Sequence, residues 1–327
     1  KLTKETGFHK KTSKLTRNFI DYNGYWLANN YTDYGTVNEY TACREKAIAI
    51  DLSPLRKFEI MGPDSESLMQ YALTRNVKKL SIGQVSYSAM CYENGCMIDD
   101  GTIFRLGKDN FRWIGGQEYG GTWLRELAKK KKYKVWIKSS TDQIHNISVQ
   151  GPNSRKILSK VIPDLDLSDK NFPHMSFKNA RIEKINCRVM RISFTGEQSY
   201  EINIQANYGK SVWEKCMEAG KEFNITPYGT EAMHLLRAEK GFIITGQDTD
   251  GTMTPIDLQM DWIVSKKKYD FIGKRSLYRS DTIREDRKQL VGLITEDPKE
   301  VLEEGAQIVS EVNKKPVEML GHVTSSY

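Results

Sequence analysis

Phe58-Glu59-Ile60-Met61-Gly62-Pro63-Asp64-Ser65 and Ile147-Ser148-Val149-Gln150-Gly151-Pro152-Asn153-Ser154 are two copies of one unit. In each, apolar residues alternate up to a Gly-Pro pair, which marks a strand that ends in a turn. A helix follows in both. Its apolar face carries Leu68, Met69, Ala72 and Leu73 in the first copy and Ile157, Leu158 and Val161 in the second. Asp64 or Ser65, and Asn153 or Ser154, are suited to cap these helices, because their side-chain oxygens accept from the free amides of a first turn. Two strand–turn–helix units in one chain imply two related α+β halves.

The flanking sequence extends the pattern. Residues 84–90 alternate and join 97–106 through Tyr92-Glu93-Asn94-Gly95, where Asn-Gly signals a hairpin. Residues 110–114 read as another strand, and 120–130 as a helix with Trp123, Leu124, Leu127 and Ala128 at core spacing. After the second unit, strands are expected at 188–193 and 200–204 around the turn Thr195-Gly196-Glu197. Helices are expected at 211–222 and at 230–240, the latter stopped by Gly241. Residues 278–288 are charged and read as a linker. Short strands at 289–294, 306–309 and 318–324 then suggest a small β domain. The expected division is 15–140, 141–280 and 285–327.

Lys and Arg number 49 against 42 Asp and Glu, a net charge of +7 in 327 residues. That excess favours anionic partners without amounting to a nucleic-acid signature. The basic run at 129–134 reads as the exposed end of a helix, where cations suit the dipole. No apolar run approaches the roughly 18–20 residues of a membrane span, and residues 1–17 lack the apolar stretch of a secretory signal. The five cysteines and five histidines are scattered. Neither a disulfide framework nor a metal site is expected, and the thiols suit a reduced cytoplasm. GxGxxG, GxxxxGK[ST] and GxSxG are all missing, which argues against a Rossmann dinucleotide site, a P-loop and a hydrolase elbow.

Polar residues at strand ends remain as candidates for chemistry. Asp99 and Asp100 follow Asn94-Gly95-Cys96-Met97-Ile98. Neighbouring carboxylates on a strand point to opposite faces, so only one of them is expected to face inward, where it needs a partner. The alternative is a solvated turn pair. Glu201 lies between Tyr200 and Ile202. Facing inward, it can accept the NH groups of a planar heterocycle through both oxygens; facing outward, it is a rung of a half-exposed sheet. Tyr87 and Phe194 are able to stack on such a ring or to fill a core. Arg237 and Glu239, two apart on a helix, do not meet, so each needs its own partner.

Five ordered motifs together carry a resemblance. They are Asn94-Gly95-Cys96-Met97-Ile98-Asp99-Asp100-Gly101, Ser193-Phe194-Thr195-Gly196-Glu197-Gln198-Ser199-Tyr200-Glu201-Ile202, Tyr228-Gly229-Thr230-Glu231-Ala232-Met233-His234-Leu235-Leu236-Arg237-Ala238-Glu239-Lys240-Gly241, Gly246-Gln247-Asp248-Thr249-Asp250 with Thr254-Pro255, and Asp270-Phe271-Ile272-Gly273-Lys274. From about residue 15 onward the chain resembles the folate-dependent aminomethyltransferases, the family of the glycine-cleavage T-protein. Its likeness is strongest to the folate domain of the sarcosine oxidase α subunit and of dimethylglycine dehydrogenases.

The resemblance implies an α+β, three-domain cloverleaf around a tetrahydrofolate cavity, with a small C-terminal β-barrel. It puts the catalytic carboxylate on Asp100 and the pterin-binding one on Glu201. Tyr87, Phe104 and Phe194 fall on positions lining the cavity, and Asp99 on one beside it. The implied reaction moves a one-carbon unit from a small methylated amine of the sarcosine or dimethylglycine type to tetrahydrofolate. Asp100 manages the proton and charge at the folate nitrogen, and Glu201 orients the pterin. A demethylase acting on a sulfonium or O-methyl donor, and a non-catalytic folate-binding subunit of an oxidase, are the alternatives.

Three departures bear on this. Met233-His234 stands where the T-protein carries an Arg before an Asp, which puts a lipoyl partner in doubt. Phe194 replaces a Tyr, and Cys96 a common Gly. No flavin motif occurs in the sequence, so the implied iminium comes from an amine-oxidising flavoprotein partner, or a methyl group is taken directly from an activated donor. No nucleic-acid or membrane partner is expected. In relatives a strand like 322–326 is followed by others, so a further C-terminal portion completing the barrel is expected.

Overall fold

The computed structural model describes residues 2–327. A short helix α1 (His9–Thr12) and the hairpin β1 (Phe19–Tyr22) and β2 (Tyr25–Ala28) lead into α2 (Gly35–Glu45), β3 (Ala47–Asp51), β4 (Arg56–Met61) and α3 (Ser65–Ala72). A meander of β5 (Val85–Cys91), β6 (Met97–Gly107) and β7 (Asn110–Gly115) is followed by α4 (Tyr119–Lys131) and β8 (Trp136–Ser139). The second copy runs β9 (Ile144–Gln150), α5 (Ser154–Val161), β10 (Ser176–Ile182), β11 (Ile185–Arg191), β12 (Ser199–Gln205), α6 (Gly209–Gly220), β13 (Ile225–Pro227) and α7 (Thr230–Glu239). Helix α8 (Lys274–Leu277) and the pair β14 (Gln307–Val309) and β15 (Met319–His322) come after a long irregular stretch.

The repeat is a structural repeat. One sheet has the order β5-β6-β7-β4-β8 and the other β10-β11-β12-β9-β3-β13. Each Gly-Pro strand, β4 or β9, lies beside the last strand of the meander that follows it. Gly62 (φ +125) and Gly151 (φ +106) occupy a backbone region that L side chains rarely adopt. A Cβ at either would come within 2.6 Å of the Lys134 carbonyl oxygen or 2.9 Å of the Lys46 carbonyl oxygen. The expected side-chain caps do not form. Asp64 accepts instead from the Lys134 backbone N–H (2.7 Å), and Asn153 from Lys156 Nζ (3.0 Å).

Sheet membership does not follow chain order. Strand β3 precedes β4 yet pairs antiparallel with β9, while β8 precedes β9 yet pairs antiparallel with β4. The second sheet thus takes β3 from ahead of the first Gly-Pro strand, whereas β8, which ends the first unit as β13 ends the second, stays in the first sheet. Helices α3 and α4 cover the outer face of the first sheet over Phe58, Ile60, Ile103, Phe111 and Trp113. Helices α5 and α6 cover the second over Ile147, Val149, Tyr200 and Ile202. The inner faces meet through Val85, Phe104 and Ile114 of one sheet and Phe177, Met190 and Ile192 on the other side. Arg112 bridges them, donating to Glu59 (2.7 Å) in its own sheet and to Asn203 (2.9 Å) in the other.

Residues 242–277 form no sheet, but Ile243, Leu258, Ile263 and Phe271 pack on Ala89, Cys91 and Met97 at the end of the first sheet. The strand expected at 289–294 has no ladder; Leu290 makes a single backbone bond to Asp257. Alternation alone does not make a strand where no neighbouring strand supplies partners. Residues 285–327 contain one antiparallel pair, β14–β15, which is not closed into a barrel. Among the described residues no helix is long and apolar enough to cross a membrane.

Candidate active site

Strand alternation and register set which side chains face the space between the sheets. On β6, Asp100, Thr102 and Phe104 share a face, and Tyr87 of β5 sits opposite Thr102. On β12, Glu201 and Asn203 share the face of Met190, which lies opposite Glu201. Asp100 and Glu201 therefore project from the inner faces of opposed sheets. The apolar neighbours of Glu201, Tyr200 and Ile202, point outward into the helical layer.

The Asp100 carboxylate is half-buried and held at both oxygens. Tyr87 OH donates to Oδ2 (2.6 Å) and Thr245 Oγ1 to Oδ1 (2.6 Å). Burial pushes its pKa up; the two hydroxyls, which favour the charged form, pull it back. Tyr87 is itself shifted well up by burial and by the adjacent carboxylate. Its ring stacks on Trp262 at 5.8 Å. Tyr22 of the N-terminal hairpin is close enough for both Asp100 and Asp99 to raise its pKa, after burial.

Asp99 departs from the expectation that only one of the pair is enclosed. It points away from Asp100 but is fully buried, because the approach to α4 covers that side of the sheet. Its oxygens accept from the backbone N–H groups of Gly116 (3.3 Å) and Gln117 (3.2 Å). Burial first, and then the Asp100 charge, hold its pKa well above the usual carboxylate range.

Glu201 is buried. Asn146 Nδ2 donates to its Oε2 (2.5 Å), from a position diagonal to it across the β9–β12 ladder. Burial raises its pKa to about 7, against the opposing Asn146 bond and Lys57 charge. Lys57 is buried too, donates to the carbonyls of Ser53 (3.0 Å) and Leu55 (2.9 Å), and is lowered to about 7 by burial and Arg112. Around Glu201, Asn146 Oδ1 and Asn203 Nδ2 are buried with no hydrogen-bond partner. A carboxylate beside an unmatched acceptor and an unmatched donor forms a polar cluster whose open positions suit a ligand with a mixed donor and acceptor edge.

The remaining candidates separate. Phe104 is fully buried against Phe177 (5.9 Å between rings) in the core between the sheets. Phe194 stacks on Phe242 (5.6 Å, 13° between planes) beside the loop that carries Thr245. Arg237 and Glu239 find separate partners, Arg237 in Asp248 (2.5 Å) and Glu239 in Arg44 (2.7 Å). Thr245, Trp262, Lys57 and Asn146 were not singled out in the sequence. Thr245 directly precedes the Gly246-Gln247-Asp248 motif, and that adjacency was its available signal. Asn146 becomes visible only once β9 and β12 are paired in register.

The chain matches known proteins in sequence and fold. The family described as "GCVT N-terminal domain" matches residues 8–268. The chain is 48% identical over 286 residues to a trimethylamine-oxide aldolase of Ruegeria pomeroyi, covering 85% of this chain and 36% of that protein. It is 43% identical to a sarcosine oxidase subunit alpha of a Corynebacterium species, covering 90% of this chain and 31% of the relative. It is 31% identical to an aminomethyltransferase of Clostridium botulinum, covering 94% and 81%. The chain thus spans about a third of the length of the first two relatives. The crystal structure of glycine cleavage system aminomethyltransferase T from Bartonella henselae superposes with a TM-score of 0.74 at 22% identity, covering 84% of this chain and 73% of that one. The fold is shared with that protein.

Proposed function

The chain belongs to the GCVT, or aminomethyltransferase, family, and from that premise we propose that it is a one-carbon transferase that uses tetrahydrofolate and draws on an N-methylated amine. Trimethylamine oxide and sarcosine, the compounds in the names of two relatives, share an N-methyl group, and this supports that donor class over sulfonium or O-methyl compounds. An amine-oxidising flavoprotein is the partner chemistry this reading calls for, and the cytoplasm is the compartment it proposes.

The observation that carries the reading is the carboxylate of Asp100. It is half-buried, raised in pKa, fixed at both oxygens and placed on an inner sheet face. A carboxylate raised in this way takes up a proton more readily than a free one and, when charged, stabilises positive charge developing beside it. The polar groups at Glu201 match a pterin, whose edge offers NH donors to a carboxylate and ring acceptors to an amide NH. Glu201, Asn146 Oδ1 and Asn203 Nδ2 would hold that edge. Tetrahydrofolate, when bound, supplies the nucleophilic nitrogen that accepts the one-carbon unit. Glu201 fixes orientation, Asp100 holds or moves the proton, and the apolar contacts of Phe104 with Phe177 and of Phe194 with Phe242 keep water from the inter-sheet space.

The test is to incubate the protein with tetrahydrofolate and N-methylated amines, with and without an amine-oxidising flavoprotein, and to read methylene- or methyl-tetrahydrofolate. Donor-dependent product that is lost in Asp100→Asn is expected. Tight folate binding with no product from any donor would overturn catalysis and leave a folate-binding module.

A further inference from the structure

The loop after α7 carries one side chain to Asp100, and three separate attachments fix that loop. Asp248 Oδ2 accepts from the Ile244 backbone N–H (2.8 Å) and from Arg237 Nη1 (2.5 Å). Its Oδ1 accepts from Thr324 (2.8 Å) and Ser325 (2.6 Å) of the segment after β15. Arg237, only 2% exposed, also donates to the Phe242 carbonyl (3.0 Å) and to Ser325 Oγ (2.7 Å). On the far side, the Gly246 N–H donates to Thr249 Oγ1 (2.9 Å). Residues 242, 244 and 246 are therefore all anchored around Thr245. A β-branched side chain adds stiffness at χ1, so the hydroxyl has little freedom other than to meet Asp100 Oδ1.

We propose that Thr245 is a positioning residue for Asp100: its hydroxyl, carried on the Arg237–Asp248-anchored loop, fixes the carboxylate's orientation and favours its charged form. This rests on the reading of Asp100 as the reacting carboxylate. Tyr87 performs the matching task at the other oxygen, so the carboxylate is clamped between a strand and a loop remote from it in sequence. The titratable and charged groups whose charge reaches Asp100 are Asp99 on the opposite face of β6, Tyr87 on β5, Tyr22 on β1 and Asp248 on the loop. Of these only Asp248 belongs to the loop. The bond at issue is made by an uncharged hydroxyl, so its removal leaves every charge around Asp100 in place.

The test is a carbon-13 NMR titration of the Asp100 carboxyl in the full chain, assigned by comparison with Asp100→Asn. It needs neither folate nor donor. Thr245→Val removes the donor with little change in shape. A hydrogen bond to a charged acceptor corresponds to about one pH unit or more in the midpoint, so the midpoint is expected to rise by about one unit. Thr245→Ser, which retains the hydroxyl, is expected to stay within about 0.3 unit of the original. Thr245→Ala provides the same removal without added bulk should the valine variant fail to fold. An unchanged Asp100 midpoint in a folded Thr245→Val or Thr245→Ala protein would overturn the proposal. If instead the midpoint moves as expected but Asp100→Asn transfers one-carbon units at the normal rate, the catalytic reading of Asp100 falls while the positioning contact stands.

Discussion

Replacing Glu201 with glutamine removes a charge that burial disfavours, and two opposite outcomes follow. The folded protein holds this carboxyl at about 7, above its ordinary value of 4.5. Ionising it therefore costs stability increasingly as pH rises from 4.5 through 7, and the whole cost is present above that. Glu201→Gln should stabilise the protein by roughly 1–3 kcal/mol at pH 8 and by nothing at pH 4, measured by urea unfolding at both pH values. The same change should weaken tetrahydrofolate binding. In the unmodified protein, binding should be about tenfold weaker at pH 6 than at pH 8, as the carboxylate is lost, and the glutamine variant should show no such slope. The adjacent aspartates should part in the same way. Asp100→Asn is expected to lower transfer by about 10²–10⁴ with folate binding little changed, whereas Asp99→Asn keeps one acceptor oxygen but turns an NH2 toward the second of the Gly116 and Gln117 amides, so it should melt at a lower temperature yet transfer at close to the normal rate when folded. Alternation put Asp99 and Asp100 on opposite faces without saying which is inward and left Glu201 open to either side; only the motifs, through the family resemblance, singled out Asp100 and Glu201. The burial of Asp99 was not legible, because it depends on the approach to α4 folding over that face.

At the scale of the element, helix α4 sets propensity against packing. Gly121 lies in its first turn, where alanine is favoured by about 1 kcal/mol on intrinsic grounds. A Cβ there would lie 2.2 Å from the fully buried Phe58 ring. That ring has no free space to retreat into, so overpacking should win. Gly121→Ala is expected to destabilise by about 1–3 kcal/mol in chemical denaturation; a stabilised variant would mean that the helix can slide outward. The helix starts show the limit of local reading. Asp64 and Asn153 occupy N-cap positions, as their residue types suggest, yet neither side chain turns back onto its helix. The incoming Lys134 backbone and the Lys156 side chain engage them instead. Those competitors come from outside the turn, or from solvent-facing positions that carry no pattern.

The whole molecule depends on two sheets meeting face to face, and Arg112 is the polar link between them. Arg112→Ala would strip Glu59 of its ion-pair partner and Asn203 of its donor in an interior only slightly open to solvent. A loss of about 3–5 kcal/mol is expected. Arg112→Met, which keeps the packing and changes only the polar link, combined with Glu59→Gln should recover much of it; thermal melts of the three proteins decide the matter. The sequence by itself determined the two Gly-Pro units, the α+β class, and most of the strands and helices around them. These follow from periodicity, from glycine's access to positive φ, and from local turn chemistry, all of which act within a few residues. Tertiary structure alone decided that β3 crosses into the second sheet, that Thr245 reaches Asp100 across 145 positions (100 to 245), and that Asn146 meets Glu201. It also decided that residues 289–294 remain without a ladder. Such contacts are fixed by which surfaces bury one another, and a strand exists only where a second strand satisfies its backbone, so no local pattern can encode them.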